Sequence, residues 1–212
     1  LEVARHVFAA DLKALLSLTQ TGKRLRNILQ ACTRAQTFCW RDEMSHHSIT
    51  DMGVSVVCTA GDTSKSPWAS GRCKLPTIGK SAWQVRVLAS HKLKGDIYIG
   101  VSDGMDQNAW ALFLRSGFLT RHYRNEDGHA IYGRSPPEGW PDGHGNRVTD
   151  SGLVGGKEVG AVIGVDIDHS EGTLHFRIDG GALLLALTGF PEGAQLRPWA
   201  RLCHEGDQLS FA

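Results

Sequence analysis

Val162-Ile163-Gly164-Val165-Asp166-Ile167-Asp168-His169-Ser170-Glu171-Gly172-Thr173-Leu174-His175-Phe176-Arg177-Ile178 is the stretch that decides the fold. Ile163, Val165 and Ile167 alternate with Gly164, Asp166 and Asp168, and Leu174, Phe176 and Ile178 alternate with His175 and Arg177. Period-two alternation of this kind is the mark of antiparallel strands with one face on a core. Asp179-Gly180 follows directly and supplies the positive-φ positions of a tight hairpin turn.

Working outward, the same pattern predicts strands over 54–58, 83–88, 96–101, 110–115, 118–122, 183–187, 199–203 and 208–211, besides 162–168 and 173–178. No helix-length apolar pattern separates them, which argues against a βαβ architecture. The 25 glycines concentrate after Met52, as many tight turns between short strands require. Hydrophobic residues make up 41% of the 212 and charged residues 21%, enough to form a core without metals or crosslinks. One stretch, 133–156, is rich in Gly and Pro and reads as a long surface loop, with Trp140, His144, Asn146 and Arg147 as contact candidates.

Ahead of Ser48 the period is helical. Val7 and Phe8, Leu12, Leu15 and Leu16, then Leu25, Ile28 and Leu29 recur at helical intervals, with Asp11 as an N-cap and Thr21-Gly22 as a break. Helices this short are marginal alone, so they need a surface to pack on. Residues 1–40 hold six basic side chains against two acids, leaving +4 there and, with +1 overall, −3 elsewhere. The basic turn Lys23, Arg24 and Arg26 reads as a solvated helix face, and no nucleic-acid partner is expected. The five cysteines lack a C-x-x-C pair, and no Asn-x-Ser/Thr acceptor is present, so a reducing compartment is expected, the cytoplasm first and the nucleus second. No signal peptide or membrane span is expected. The chain begins at Leu1 rather than Met, as a processed or partial chain would.

Motifs for chemistry fail on their contexts. Gly100-Val101-Ser102-Asp103-Gly104 fits G-x-S-x-G, but Asn108 to Gly117 reads as a turn into a strand, not the helix a nucleophile elbow needs. Gly79-Lys80-Ser81 lacks the earlier glycine of a phosphate-binding loop, where Lys74 stands. Asp166-x-Asp168-x-Ser170 has Glu171 and Arg177 where a calcium loop needs Gly and an acid. The ten histidines show no ligand spacing. No catalytic residue, metal or cofactor is expected. Trp83 and Trp110 open alternating runs and belong in the core, whereas Trp68 and Trp140 fall in Gly/Ser/Pro-rich surroundings that suit a contact residue or a loop anchor.

Four stretches in order resemble a SPRY domain: Ser70 to Val87, Asp96 to Ser102, Val162 to Ile178 and Leu187 to Pro198. The resemblance covers about residues 48–212 and implies a bent antiparallel β-sandwich without a catalytic site, whose edge loops grip peptides or folded partners. Those loops fall on Trp68 to Arg72, Asp103 to Asn108 and Leu202 to Gly206, which gives Trp68, Arg72, Asp103, Met105, Asp106, His204 and Glu205 as partner-binding candidates converging on one patch. Cys203-His204-Glu205-Gly206 replaces the aromatic-glycine pair of peptide-binding members, so their peptide preference does not carry over. Ala10 to Arg26 is similar to the later part of an F-box, without its opening Leu-Pro. That likeness implies a helical segment over 1–47 that binds a cullin-ligase adaptor through Val7, Phe8, Leu12 and Leu16. The expected fold is thus mainly β, a SPRY-type sandwich preceded by a short α-helical segment. Three functions follow: a ligase substrate receptor, a scaffolding subunit that binds its neighbours, or a lectin-like sandwich using Trp140, His144, Asn146 and Arg147.

Overall fold

The computed structural model describes residues 39–42, 47–59, 68–91, 96–105, 107–124, 130–132, 135–149 and 158–212. Contacts divide the chain into Leu1–Thr37 and Phe38–Ala212, and all the described residues lie in the second unit. Of the helical segment expected over 1–47, Val7, Phe8, Leu12 and Leu16 lie outside the described residues, and the described positions 40–42 and 47 are strand instead. Among those described, the one helical turn is the 3-10 turn Asp51–Gly53.

Strands alternate with turns throughout: β1 (Trp40–Asp42), β2 (His47–Thr50), β3 (Ser55–Cys58), β4 (Trp68–Gly71), β5 (Lys80–Ala89), β6 (Ile97–Asp103), β7 (Asn108–Phe113), β8 (Phe118–Arg124), β9 (Ala130–Tyr132), β10 (Val162–Asp168), β11 (Thr173–Ile178), β12 (Leu184–Thr188), β13 (Leu196–Leu202) and β14 (Gln208–Phe211). They form two antiparallel sheets, one ordered β1-β4-β13-β6-β7-β8-β9 and the other β12-β11-β10-β5-β14-β3-β2.

Residues 162–178 form the hairpin β10–β11, with Ile163 opposite Ile178, Val165 opposite Phe176 and Ile167 opposite Leu174. All but the partly buried Ile178 are buried between the sheets, together with Trp83, Val85 and Val87 of β5 and Ile97, Ile99 and Val101 of β6. Asp179 and Gly180 take φ of 48° and 71°, two consecutive left-handed residues of the primed turn that suits a right-twisted hairpin. Gly100 of β6 has a separate reason to be glycine: a Cβ there would stand 2.0 Å from the Trp110 carbonyl oxygen and 2.6 Å from Ala111 Cα on β7.

The structure extends the expectation at several places. Among the described residues the sandwich already includes Trp40, ahead of the boundary expected at 48, because Trp40 sits in the core and stacks on Phe211 of the opposite sheet at 4.3 Å. Strands β1, β2, β4 and β9, each of four residues or fewer, were not among those expected. Strand β13 starts three residues before the expected Trp199 and carries Pro198 in a central position, where a missing N–H is usually costly. It is tolerated because the β4 ladder ends at Ser70 opposite Trp199, and the next residue, Gly71, offers only hydrogen where a Cβ would lie 2.7 Å from Pro198 Cδ.

Residues 135–149 of the long loop close one side of the sandwich. Leu119 exchanges backbone hydrogen bonds with the loop, its N–H donating to Asn146 O (2.8 Å) and its carbonyl accepting from Gly145 N (2.9 Å). Asn146 Nδ2 donates to Ala186 O of β12 (3.2 Å), so the loop links the two sheets. Trp140 stacks on Trp110 at 5.2 Å and meets Phe190 edge-on, while Trp110 Nε1 donates to Pro141 O (2.9 Å). Trp140 and Asn146, expected as contact residues, thus pack and bond internally, and Trp140 has a ring face committed to Trp110. His144 accepts from the Arg121 N–H and Arg147 lies over the Phe118 ring.

Candidate functional site

The register of β13 separates the residues expected to converge. Leu196 lies opposite Asp103 and Leu202 opposite Ile97, so the two ends of this strand are about 20 Å apart. Arg72, Asp103 and Met105 gather at the Leu196 end. Trp68, opposite Arg201, and the turn carrying His204 and Glu205 lie at the Leu202 end. Asp106 is outside the described residues. The expected single patch is therefore two, one at each end of the sheet.

At the Leu196 end three chain segments are tied together by Asp103, expected as a contact residue, and by Arg197, for which no role was expected. The Asp103 carboxylate is buried and accepts three hydrogen bonds, from Gln107 N (2.7 Å), Asn108 N (3.1 Å) and Asn108 Nδ2 (2.8 Å), which fixes the β6–β7 loop. Arg197, also buried, donates Nη1 to the carbonyls of Gly71 (3.2 Å) and Arg72 (2.9 Å) and Nε to Gly104 O (3.4 Å). Lys74 Nζ donates to Gln195 Oε1, and a Cβ on Gly104 would meet Gln195 Cβ at 3.0 Å. Carbonyl partners leave no mark in a sequence, which is why Arg197 went unnoticed. On this frame Met105 stands 78% exposed and Arg72 and Gln107 face solvent. Asp103 holds the surface and is not itself on it.

At the Leu202 end the expected contact residues are largely interior. Trp68 is 1% exposed and packs edge-on against Trp199 at 5.1 Å; it opens a strand rather than standing in a loop. His204 is buried, with Nε2 3.3 Å from Asp96 Oδ2 and its backbone N–H donating to Asp207 Oδ2 (2.9 Å). Asp207 Oδ1 accepts the His91 N–H (2.8 Å); burial raises its pKa, and the backbone donors of His91 and His204 only partly offset that. Glu205 alone of this group is exposed.

The sheet face between these ends, pointing away from the core, carries Trp68, Tyr98, Trp199, His122 and Arg201. Arg201 Nη1 lies 3.3 Å from His122 Nδ1, and His122 Nε2 lies 2.9 Å from Thr120 Oγ1. Guanidinium can only donate, so Nδ1 accepts, Nε2 carries the proton and donates to Thr120, and the Thr120 hydroxyl donates to Ala111 O (3.1 Å). Burial, then the charges of Arg201, His144 and Arg121, hold the His122 pKa well below the ordinary histidine value.

Hydrolase chemistry finds no support in this geometry. Ser102 is fully buried in the middle of an antiparallel ladder, between Arg197 of β13 and Ala109 of β7, not on a strand-to-helix elbow. Ser81 Oγ lies 3.2 Å from His169 Nε2, but both side chains are buried, and the neighbouring Asp168 carboxylate is turned to Lys80 (3.1 Å) and the N–H groups of Ser170 and Glu171. Among the described residues no group of three His, Cys, Asp or Glu side chains is placed to hold a metal ion, and no helix is long and apolar enough to cross a membrane.

No family model matches the chain, and no curated protein matches it in sequence. Among solved structures it is similar to the TRIM65 PSpry domain, at 16% identity and a TM-score of 0.49 over 83% of this chain and 92% of that one. It is also similar to the SPRY domain of human HERC1, at 15% identity and a TM-score of 0.56 over 82% of this chain and 96% of that one. The fold is that of a SPRY domain, mainly β, with two antiparallel sheets.

Proposed function

We propose that this chain is a non-catalytic protein-recognition protein whose contact surface is the sheet end formed by residues 71–75, 103–105, 107 and 195–197. The observation that carries the reading is Met105, exposed on a loop whose backbone is fixed from beneath by Asp103 and Arg197. A flexible apolar side chain on a pre-ordered loop meets a partner with little further loss of chain entropy. Arg72 beside it adds a cation with bidentate reach.

The test is capture from native extract by the full chain, compared with Met105→Asp and Arg72→Glu. The same protein should be lost or reduced with both variants, while the melting temperature stays within experimental error of the parent. Undiminished capture of the same partner by both variants would sink the assignment of this surface.

The finer reading is a substrate receptor of a cullin-type ubiquitin ligase, supported by the F-box likeness of Ala10 to Arg26. A scaffolding subunit would share the recognition surface without the adaptor. Co-purification of a ligase adaptor with the full chain, lost in Leu12→Asp and Leu16→Asp, separates the two.

A further inference from the structure

We propose that Cys39 and Cys73 form an oxidisable dithiol, closing to a disulfide that staples the start of the sandwich to the segment following β4. The backbone brings them together. Strands β1 and β4 pair antiparallel with Trp40 opposite Gly71, and the Arg72 N–H donates to Cys39 O (2.6 Å), so Cys39 lies opposite Arg72. Facing residues in such a pair have Cα atoms about 5 Å apart, and one further step of about 3.3 Å along the chain puts Cys73 about 6 Å from Cys39. That lies inside the span of about 4.4–6.8 Å that a disulfide bridges.

A straight ladder would turn Cys73 to the opposite face. Here β4 ends at Gly71 and the chain bends at Arg72 and Cys73. The Cys39 pKa is raised first by burial and then by the charge of Cys73, with Arg72 acting the other way. Cys39 also rests against Gly53, where a Cβ would come within 2.9 Å of Cys39 Cβ and 3.2 Å of its Sγ. Both thiols are reduced in this structure, as are Cys58 and Cys203, which are buried.

The two thiols divide the chemistry. Cys73 is half-buried between Arg72 and Lys74 and meets an oxidant first, while Cys39, 8% exposed, is the resolving thiol. With hydrogen peroxide, the Cys73 sulfur takes one oxygen, forming a sulfenic acid and releasing water. The Cys39 sulfur then attacks that sulfur, the S–O bond breaks, and a second water leaves carrying the Cys39 proton. Peroxide is reduced and the two thiols are oxidised by two electrons in all. The closed loop holds about 35 residues, long enough for the crosslink to raise the melting temperature by about 10 °C in a domain of this size.

The full chain is treated with hydrogen peroxide, blocked with iodoacetamide and mapped by mass spectrometry without reduction. The expected result is a Cys39–Cys73 peptide pair, reversed by dithiothreitol, with the rise in melting temperature seen in the parent and absent from Cys73→Ser. In Cys39→Ser, Cys73 should stop at the sulfenic acid and be trapped by dimedone. Recovery of both cysteines alkylated, of Cys73 as sulfinic acid in the parent chain, or of Cys73 bonded to a different cysteine would overturn the proposal.

Discussion

Acidification from about pH 7.5 to about pH 5.5 should destabilise this fold through His122 in particular. The imidazole is fully buried, accepts from Arg201 at Nδ1, and is held neutral first by burial and then by the neighbouring charge of Arg201. Its folded pKa therefore lies below the unfolded value of 6.5. The unfolded chain takes up a proton as pH falls through that value while the folded chain does not. Stability from the neutral ring is complete above the unfolded pKa and is lost as pH falls toward the folded one. At one unit below the unfolded pKa the loss is on the order of 1 kcal/mol, and it grows with further acidification until the folded ring titrates. His122→Gln keeps an acceptor for Arg201 and a donor for Thr120 but cannot be protonated. Urea denaturation of the two proteins at both pH values isolates the effect, because His169, lowered by burial, and Asp207, raised by it, are common to both. The stability difference between parent and variant should change by on the order of 1 kcal/mol between the two pH values, in the direction that disfavours the parent in acid. Parallel curves would refute the neutral, buried assignment.

Trp68→Ala should cost about 3–5 kcal/mol, since the ring is buried against Trp199, and an unchanged melting temperature would return Trp68 to the surface. Gly100→Ala should prevent folding, read as loss of the near-UV circular dichroism signal, because the new Cβ would collide with the backbone of β7 on both the Trp110 carbonyl and Ala111. Asp103→Asn leaves one acceptor oxygen where two are used and should cost about 1–3 kcal/mol, with faster hydrogen exchange at the Gln107 and Asn108 amides; protection equal to the parent would show that the loop is held by something else.

The sheet on the β10 side was legible because it alternates. Strand β5 runs exposed and buried by turns along its length, and β10 and β11 match their expected ends to the residue, since one face meets the core and the other meets water. The opposite sheet was harder to read because β6 and β13 are buried at every position. A strand covered on both faces loses its period, and so the strand was expected only from Trp199. The site suffered for a related reason. Trp68 and His204 look like contact residues by type and neighbourhood, and only the tertiary pairing reveals that one opens a buried strand and the other bonds to Asp96. Met105 and Arg72 were legible as loop residues, but the clamps beneath them run from side chain to backbone carbonyl or N–H, partners that every residue offers and no sequence advertises.

The same clamps separate what the loops are held by from what they present. Arg197 bonds to carbonyl oxygens of residues 71, 72 and 104, and Asp103 to the N–H groups of residues 107 and 108. None of those bonds depends on the outward side chains of Arg72, Met105 or Gln107. The constraints that do bear on identity fall on Gly71, packed against Pro198, and Gly104, packed against Gln195. Substitutions at 72, 105 and 107 can therefore change the chemistry shown to a partner while the loop geometry stays fixed, whereas substitutions at 71, 103, 104 and 197 disturb the geometry without touching an exposed contact. A surface built in this way gains specificity from a few exposed side chains on a rigid support, the arrangement in which most binding free energy resides in a small number of anchors.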